Sequence, residues 1–478
     1  MALDIGAAGG VGMVTLALGC GAHPPKMPTT STAAPAANAD QAAGVLPPRP
    51  STSSTFPAYA LGKRSPFGRG PSMRILHTSD WHLGRTLKGT DLTEAHMSAI
   101  AQITDIVAER GVELVIISGD VYDRAIPHTD AVKLLGRALR GLCEHVPVIV
   151  TPGNHDSAVR LGFGAELFTD RLHVRTRLAD AADPVLLSDE HGSVAVYPLP
   201  YLDAEEVRQF ARQADDIDLP RSQAAASRYV MDRVRADLDQ RPSTRAVVMA
   251  HAFVVDADDP GDAGLLSELG SDSERDITAG GLDYVPTSTF DGVAYVALGH
   301  LHGAQTRRQS AGGTVVEYSG SPLRFSFSER NHVKGVTLVD LAADGTVSTE
   351  RVPLAQPREM AQLRGPLSDF LLAAQDPPSG PFASHVDSWV DITVTDDRRP
   401  EDMRAQLLTA FPHLLSHRHE PEGTAAASGV GLGRGVTANA SPLAVIKDFV
   451  TEVAPGELDP EELAVLEQVT ADVFGTGA

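Results

Sequence analysis

The chain has 478 residues, 42% of them hydrophobic, which is long enough for two or three domains and fits a soluble globular protein. Its only cysteines, Cys20 and Cys143, exclude a disulfide framework and fit a reducing compartment; no apolar run reaches membrane-spanning length. The net charge of -22 excludes a chain that grips a polyanion by overall charge alone.

Residues 1–72 are rich in Ala, Pro, Ser, Thr and Gly without periodicity and predict a disordered segment. Ala17-Leu18-Gly19-Cys20 faintly resembles a lipoprotein cleavage site, but the start, Met1-Ala2-Leu3-Asp4, lacks the positive region a signal peptide needs. Met73 opens the first strand directly, so the expectation is that the true start is Met73 and residues 1–72 are an over-long extension; a secreted lipoprotein is the alternative.

Five apolar runs then follow, each ending in polar residues. Arg74–Thr78 runs into Asp80-Trp81-His82, and Glu113–Ile117 into Gly119-Asp120-Val121-Tyr122-Asp123. Pro147–Val150 runs into Gly153-Asn154-His155-Asp156, Ala246–Ala250 into His251, and Val293–Leu298 into Gly299-His300-Leu301-His302. The runs are short, nearly continuous and rich in β-branched residues, and predict strands buried on both faces of an α/β sheet. Ligand sites in such sheets lie at the carboxyl ends of the strands. The glycines at 119, 153 and 299 are expected to allow sharp turns and leave room for an ion. Amphipathic segments at about 91–109 and 128–142 read as helices between the first strands.

The stretch 255–291 is acidic and rich in Gly and Ser, and reads as an insertion loop. Segments 314–318, 334–341 and 347–352 are hairpin-like strands that would close the sheet, ending a catalytic domain of 73–355. Residues 356–422 read as a small second domain, with a strand at Trp389–Val394, a helix at Glu401–Phe411 and a short strand near 413–418. Residues 423–440 are a Gly/Ala/Ser-rich linker. The tail, 441–478, carries two amphipathic helices, one with Leu443, Ile446, Phe449 and Val450 on a face, the other with Leu463, Leu466, Val469 and Val473. Asp459 is a candidate N-cap with Glu462 three residues on. Such a pair packs on its own domain or, after a flexible linker, seeks a partner groove.

Taken singly, Asp-x-His, Gly-Asp and Gly-x-His are common turns, and a lone His251 would be a core histidine. All five in order, each after a buried strand, supply enough oxygen and imidazole ligands for two metal ions side by side, a site type that hydrolyses phosphate esters. Carboxylate, amide and imidazole ligands suit manganese, magnesium, iron or zinc alike.

The order D-x-H, G-D-x-x-D, G-N-H-D, H, G-H-x-H resembles that of the calcineurin-like metallophosphoesterases. Met73 to Gly84 and Tyr318 to Glu329 resemble more closely the SbcD-type nuclease subunits within that superfamily, over a stretch from Met73 to near the C-terminus. The resemblance implies an α/β/β/α sandwich with a small α+β cap domain over the active site and a C-terminal helical hairpin. It implies that Asp80, His82 and His302 hold one ion, that Asn154, His251 and His300 hold the other, and that Asp120 bridges both. It implies two divalent ions, with manganese as the metal. His155 would be the catalytic residue beside the scissile phosphate, protonating the leaving oxygen or stabilising the transition state. Asp123 and Asp156 are candidates to orient imidazoles from behind, and Asp123 could equally be a helix N-cap.

The same resemblance implies 3′→5′ exonuclease action on duplex ends and endonuclease action on single strands and hairpins, in DNA repair, recombination and replication in the cytoplasm. Its partners would be DNA and an SbcC-like coiled-coil ATPase docked on the tail helices, with two nuclease subunits in a heterotetramer. The chain has no G-x-x-x-x-G-K-[ST] loop, so ATP-linked action requires another chain. Given the acidic balance, DNA would be met by the metals and local basic residues together with a more basic partner. Arg85, Lys88, Arg324 and Arg330 flank the motifs and are candidate phosphate contacts, against the reading of solvated surface charges. The competing enzyme reading is a stand-alone phosphodiesterase acting on a small molecule.

Overall fold

The computed structural model describes residues 72–168, 171–256, 284–307, 313–375, 377–422, 443, 446–447 and 460–474. Strand β1 (Ser72–Thr78) alternates Ile75 and Leu76 between two apolar environments, and both side chains are fully buried. Burial on both faces is what turns the strand sequence into a continuous apolar run. The chain continues through α1 (Thr93–Glu109), β2 (Leu114–Ser118), α2 (Thr129–His145) and β3 (Val148–Thr151). It then lays down β4 (Leu172–Val174), β5 (Val185–Asp189), β6 (Gly192–Pro198), α3 (Ala204–Asp215), α4 (Gln223–Leu238), β7 (Arg245–His251), β8 (Tyr295–Gly299), β9 (Gln305–Thr306), β10 (Val315–Tyr318), β11 (Gly335–Ala342) and β12 (Val347–Pro353).

These strands form two six-stranded sheets, ordered β12-β11-β1-β2-β3-β4 and β9-β10-β8-β7-β6-β5. In the first, β1, β2, β3 and β4 are parallel; in the second, β6, β7, β8 and β10 are parallel. Three apolar clusters show how they stack. Ile75, Leu114 and Ile116 of the first sheet meet Val247, Met249, Tyr295 and Ala297 of the second. Their neighbours Leu76, Val115 and Ile117 pack instead against Ile103 and Val107 of α1 and Leu135 and Leu142 of α2. On the far side, Val248, Val296 and Leu298 pack against Val207 of α3 and Val230 and Val234 of α4. The layers are therefore helix, sheet, sheet, helix, the expected sandwich. Each fully buried aliphatic side chain contributes roughly 1.5–3 kcal/mol.

The five expected strands all form, shifted by a residue or two at their ends. Residues 314–318 do not form a hairpin with the following strand. They become β10 in the other sheet, because Val315 fills the inter-sheet core while Val316 and Tyr318 fill the outer one. β11 and β12 do form a hairpin and pair β1 antiparallel through β11. Helix α4 carried little signal in Ala224-Ala225-Ala226-Ser227, yet buries Ala226, Tyr229, Val230 and Val234. Of the expected 255–291 loop, residues 257–283 lie outside the described residues. Its ends are packed: Val254–Val255 pairs with Val285–Pro286, and Phe290 is buried.

A fourth cluster, including Leu363, Phe370, Ile392, Leu407 and Phe411, is built by β13 (Met360–Gly365), α5 (Leu367–Ala373), β14 (Trp389–Val394), α6 (Met403–Ala410) and β15 (Leu414–His419). Strands and helix fall where 356–422 was expected to place them. All three strands are parallel, so the helices alternate with them as crossovers and are not segregated as an α+β arrangement would have them. In the tail, α7 (Pro460–Phe474) matches the second expected helix, with Leu463 and Leu466 partly buried and Val469 and Val473 exposed. Phe449, Val450 and Asp459 lie outside the described residues, as do residues 1–71. Among the described residues no helix is long and apolar enough to cross a membrane.

Candidate metal centre

The parallel strands of both sheets end at one edge of the sandwich, and the polar clusters meet there. Asp80 and His82 follow β1, Asp120 follows β2, and Asn154, His155 and Asp156 follow β3; His251 closes β7, and His300 and His302 follow β8. Four of these residues have left-handed φ values: Asp80 at 54°, His82 at 45°, Asp120 at 48° and His300 at 110°. Non-glycine residues resist that region, and it is tolerated where surrounding contacts over-determine it, often at functional sites. Here the contacts are visible: the Asp80 and His82 amides donate to the Gly119 and Asp120 carbonyls at 3.0 and 2.9 Å, and the His300 amide donates to Asp80 Oδ1 at 2.9 Å.

Asp80, His82 and His302 bring ligand atoms within 4.8 Å of one another, and so do Asp80, Asp120 and His251. His82 Nε2 and His302 Nε2 are 3.1 Å apart. The Asn154 side-chain oxygen lies 3.0 Å from His251 Nε2 and 3.2 Å from His300 Nδ1. Asp120 Oδ2 reaches both groups, at 3.6 Å from His82 Nε2 and 3.3 Å from His251 Nε2. His155 also lies within 4.8 Å of His82 and Asp120, but its side chain is 30% exposed where theirs are closed off.

The donor chemistry fits divalent cations. His251 Nδ1 faces the Ser118 carbonyl at 3.0 Å, which can only accept, so Nδ1 carries the proton and Nε2 turns a lone pair toward Asn154 Oδ1 and Asp120 Oδ2. His302 Nδ1 likewise donates to Glu329 Oε1 at 2.9 Å, leaving Nε2 bare toward His82. Converging acceptors repel unless a cation or a proton lies among them.

Without a metal, protons take that place. Burial lowers the His251 imidazole, but the charge and hydrogen bond of Asp120 overturn this and raise it to about 9. Burial likewise opposes the Asp120 carboxylate, yet His251, His82 and His155 hold it well below the usual range. Burial raises Asp80 to about 6 against the pull of His251 and His302, and lowers His300 to about 3. Ligation at His251 must therefore expel a proton at any pH below about 9. Metal affinity is expected to rise about tenfold per pH unit between pH 7 and 9 and to level off above. Calorimetric titration with Mn²⁺ in buffers of different ionisation enthalpy measures this directly, and a pH-independent affinity would refute it.

The three glycines make room for the candidate ligands themselves. A Cβ on Gly153 would strike the Asp120 carboxylate and amide, and one on Gly299 would strike the Ser118 carbonyl and the His251 ring. Gly119 would collide with the same ring and also has φ +84°. Gly153→Ala should therefore push Asp120 aside. Overpacking of this kind costs about 1–3 kcal/mol, so Mn²⁺ affinity should fall about tenfold or more. Titration of the variant checks this, and unchanged affinity would contradict it.

Asp156 touches backbone and not imidazole. Its carboxylate accepts from the amides of Val121, Tyr122 and Gly153, each at 2.9 Å, and so ties the β2 and β3 loops together. Burial, then Asp120, raises its carboxyl to about 6. Asp123 is not a helix N-cap, since α2 begins at Thr129 behind His128. Its carboxylate lies 3.7 Å from His82 Nδ1 and 3.3 Å from Arg85 Nη1, and its carbonyl accepts from His155 Nδ1 at 3.0 Å.

Of the basic residues, Arg85 stacks 5.2 Å over the Phe325 ring, and Lys88 is exposed. Arg324 is engaged elsewhere, with Glu359 at 3.1 Å and the His332 carbonyl at 3.3 Å, so the geometry gives its expected phosphate contact no support. Arg330 donates to the Phe327 carbonyl of its own turn at 3.2 Å.

Sequence reasoning missed several residues behind the candidate ligands. Ser79 Oγ hydrogen-bonds Asp80 Oδ2 and Ser319 Oγ. Phe325 packs its ring against His82 and His302 at 5.4 and 5.6 Å between centroids. Glu329, fully buried, holds His302. A buried acidic residue within Ser319–Glu329 was the available signal, but its target lies 27 positions away.

Likeness to known proteins decides the family. The calcineurin-like phosphoesterase model matches residues 73–304, and the Type 5 capsule protein repressor C-terminal domain model matches 356–454. The D subunit of the nuclease SbcCD from Staphylococcus epidermidis is 30% identical over 302 residues, spanning 63% of this chain and 74% of that one. This chain belongs to the SbcD family. An SbcD-family chain is a phosphoesterase-type hydrolase, and the strand-end cluster suits the divalent metals such enzymes use. Among solved structures, TT1561 of Thermus thermophilus is 13% identical with a TM-score of 0.33, covering 59% of this chain and 99% of that one. GAP50, the anchor in the inner membrane complex of Plasmodium, is 9% identical with a TM-score of 0.29, covering 60% and 90%. At those scores the likeness carries no argument.

Proposed function

We propose that this chain is a metal-dependent DNA nuclease acting with an SbcC-type ATPase, a 3′→5′ exonuclease on duplex ends and an endonuclease on single strands and hairpins. The observation that carries the reading is the meeting of two ligand groups on one carboxylate. Asp80, His82 and His302 would hold one ion, Asn154, His251 and His300 the other, and Asp120 Oδ2, at 3.6 Å from His82 and 3.3 Å from His251, would bridge them. Ions held there would supply activation of a water molecule and neutralisation of the charge that builds on the phosphate. Manganese is the proposed ion.

His155 stands at the rim as the proposed catalytic residue. Its Nδ1 donates to the Asp123 carbonyl, which aims Nε2 at the cluster, 4.0 Å from Asp120 Oδ2. The imidazolium form carries a proton on Nε2 and can pass it to the departing oxygen. In the same reading Arg85, Lys88 and Arg330 meet DNA phosphates, 356–422 caps the site, and 441–478 joins the ATPase. Two nuclease subunits share a heterotetramer in the cytoplasm.

The test is cleavage of linear duplex DNA against bis-p-nitrophenyl phosphate, in Mn²⁺, with and without the ATPase subunit. Expected are Mn²⁺-dependent DNA cleavage by this chain and ATP stimulation on duplex ends only when the partner is present. Hydrolysis of the small ester with no cleavage of DNA would overturn this in favour of a stand-alone phosphodiesterase.

A further inference from the structure

His302 differs from the other imidazoles of the cluster in what stands behind it. His251 Nδ1 rests on a neutral carbonyl, that of Ser118. Among the described residues His82 Nδ1 is buried without a hydrogen-bond partner, with the Asp123 carboxylate at 3.7 Å. His302 Nδ1 meets the Glu329 carboxylate at 2.9 Å, with the two side chains 4% and 0% exposed.

The carboxylate is itself held. Glu329 Oε2 lies 2.7 Å from Lys334 Nζ and accepts from the Phe325 amide at 3.1 Å. Lys334, 2% exposed, also donates to the His302 carbonyl and to Ser321 Oγ, each at 2.8 Å. The contacts close a ring: His302 imidazole, Glu329, Lys334, His302 main chain. The histidine is fixed at its ring and its backbone by one buried ion pair. Two buried charges are costly to desolvate, and a pair of apolar residues would often serve stability as well or better.

Resting on the metal centre proposed above, we propose that Glu329 and Lys334 are positioning residues for the ion held by Asp80, His82 and His302, and leave the ion held by Asn154, His251 and His300 untouched. The carboxylate fixes the His302 tautomer with Nε2 bare and increases the electron density that this nitrogen offers the ion; Lys334 keeps the carboxylate charged and aimed. Partners of this kind behind a ligating histidine typically matter about 10–100-fold in metal affinity.

The test is calorimetric titration of the full chain with Mn²⁺, resolved into its two binding steps. Glu329→Gln should weaken one step about 10–100-fold and leave the other within about twofold. Because Glu329→Gln removes the carboxylate that faces buried Lys334, the double variant Glu329→Gln/Lys334→Gln removes both charges together. It should melt cooperatively and show the same one-step loss. Two steps weakened alike in the folded double variant, or neither weakened, would overturn the proposal. A wild-type chain that fails to bind two ions would overturn the metal centre, and this proposal with it.

Discussion

Asp120→Ala is expected to lose both metal ions and to lower phosphodiester cleavage about 10³-fold or more, equivalent to about 4 kcal/mol of transition-state stabilisation. The size follows from the position of the carboxylate. Its Oδ2 is the atom within reach of both ligand groups, and its Oδ1 accepts from the His155 amide at 2.9 Å. Alanine would therefore remove the proposed bridge and release the loop that carries Asn154 and His155. It also leaves His251 without the charge that raises it to about 9, so the metal-free variant should bind one proton fewer near pH 7 to 8. Metal content by mass spectrometry and cleavage rate are the measurements. Retention of both ions would refute the bridging role.

His155→Ala is expected to separate chemistry from binding. Its ring is anchored by the Asp123 carbonyl at 3.0 Å and packs edge-on against His82 at 4.9 Å between centroids. A proton donor to the leaving group contributes about 10²–10⁴-fold, so cleavage should fall by that amount while both Mn²⁺ steps stay within a few-fold of wild type. Cleavage of a substrate whose leaving group needs no proton, such as a p-nitrophenyl ester, should suffer much less. Loss of metal as complete as in Asp120→Ala would make His155 a ligand and end its assignment as acid.

How much of this was readable in the sequence follows from the kind of signal each residue leaves. Strand ends are legible because burial on both faces gives runs such as Leu114–Ser118 a composition no loop shares, and the next polar residue marks the edge. The candidate ligands are the polar residues at that edge. Residues whose meaning depends on a distant contact were not legible. Glu329 bonds a histidine 27 positions before it, and the Asp340–Arg74 ion pair spans 266 positions. Asp156 was expected to orient an imidazole, but its carboxylate accepts from backbone amides, a contact that spacing does not reveal. The glycines were marked as leaving room at the site, but only the fold shows that Asp120 and His251 lie against them. Residues 314–318 were seen as a strand but grouped with the hairpin that follows, because alternation reveals burial and not neighbours.

The central claim, two ions shared across Asp120 at the strand ends, is tested most directly by anomalous diffraction at the manganese edge from crystals of the chain grown with Mn²⁺. The account predicts two peaks about 3.5–4 Å apart, one among Asp80, His82 and His302, the other among Asn154, His251 and His300, with Asp120 between them. A single peak, or a pair that leaves Asp120 bound to neither, would contradict it.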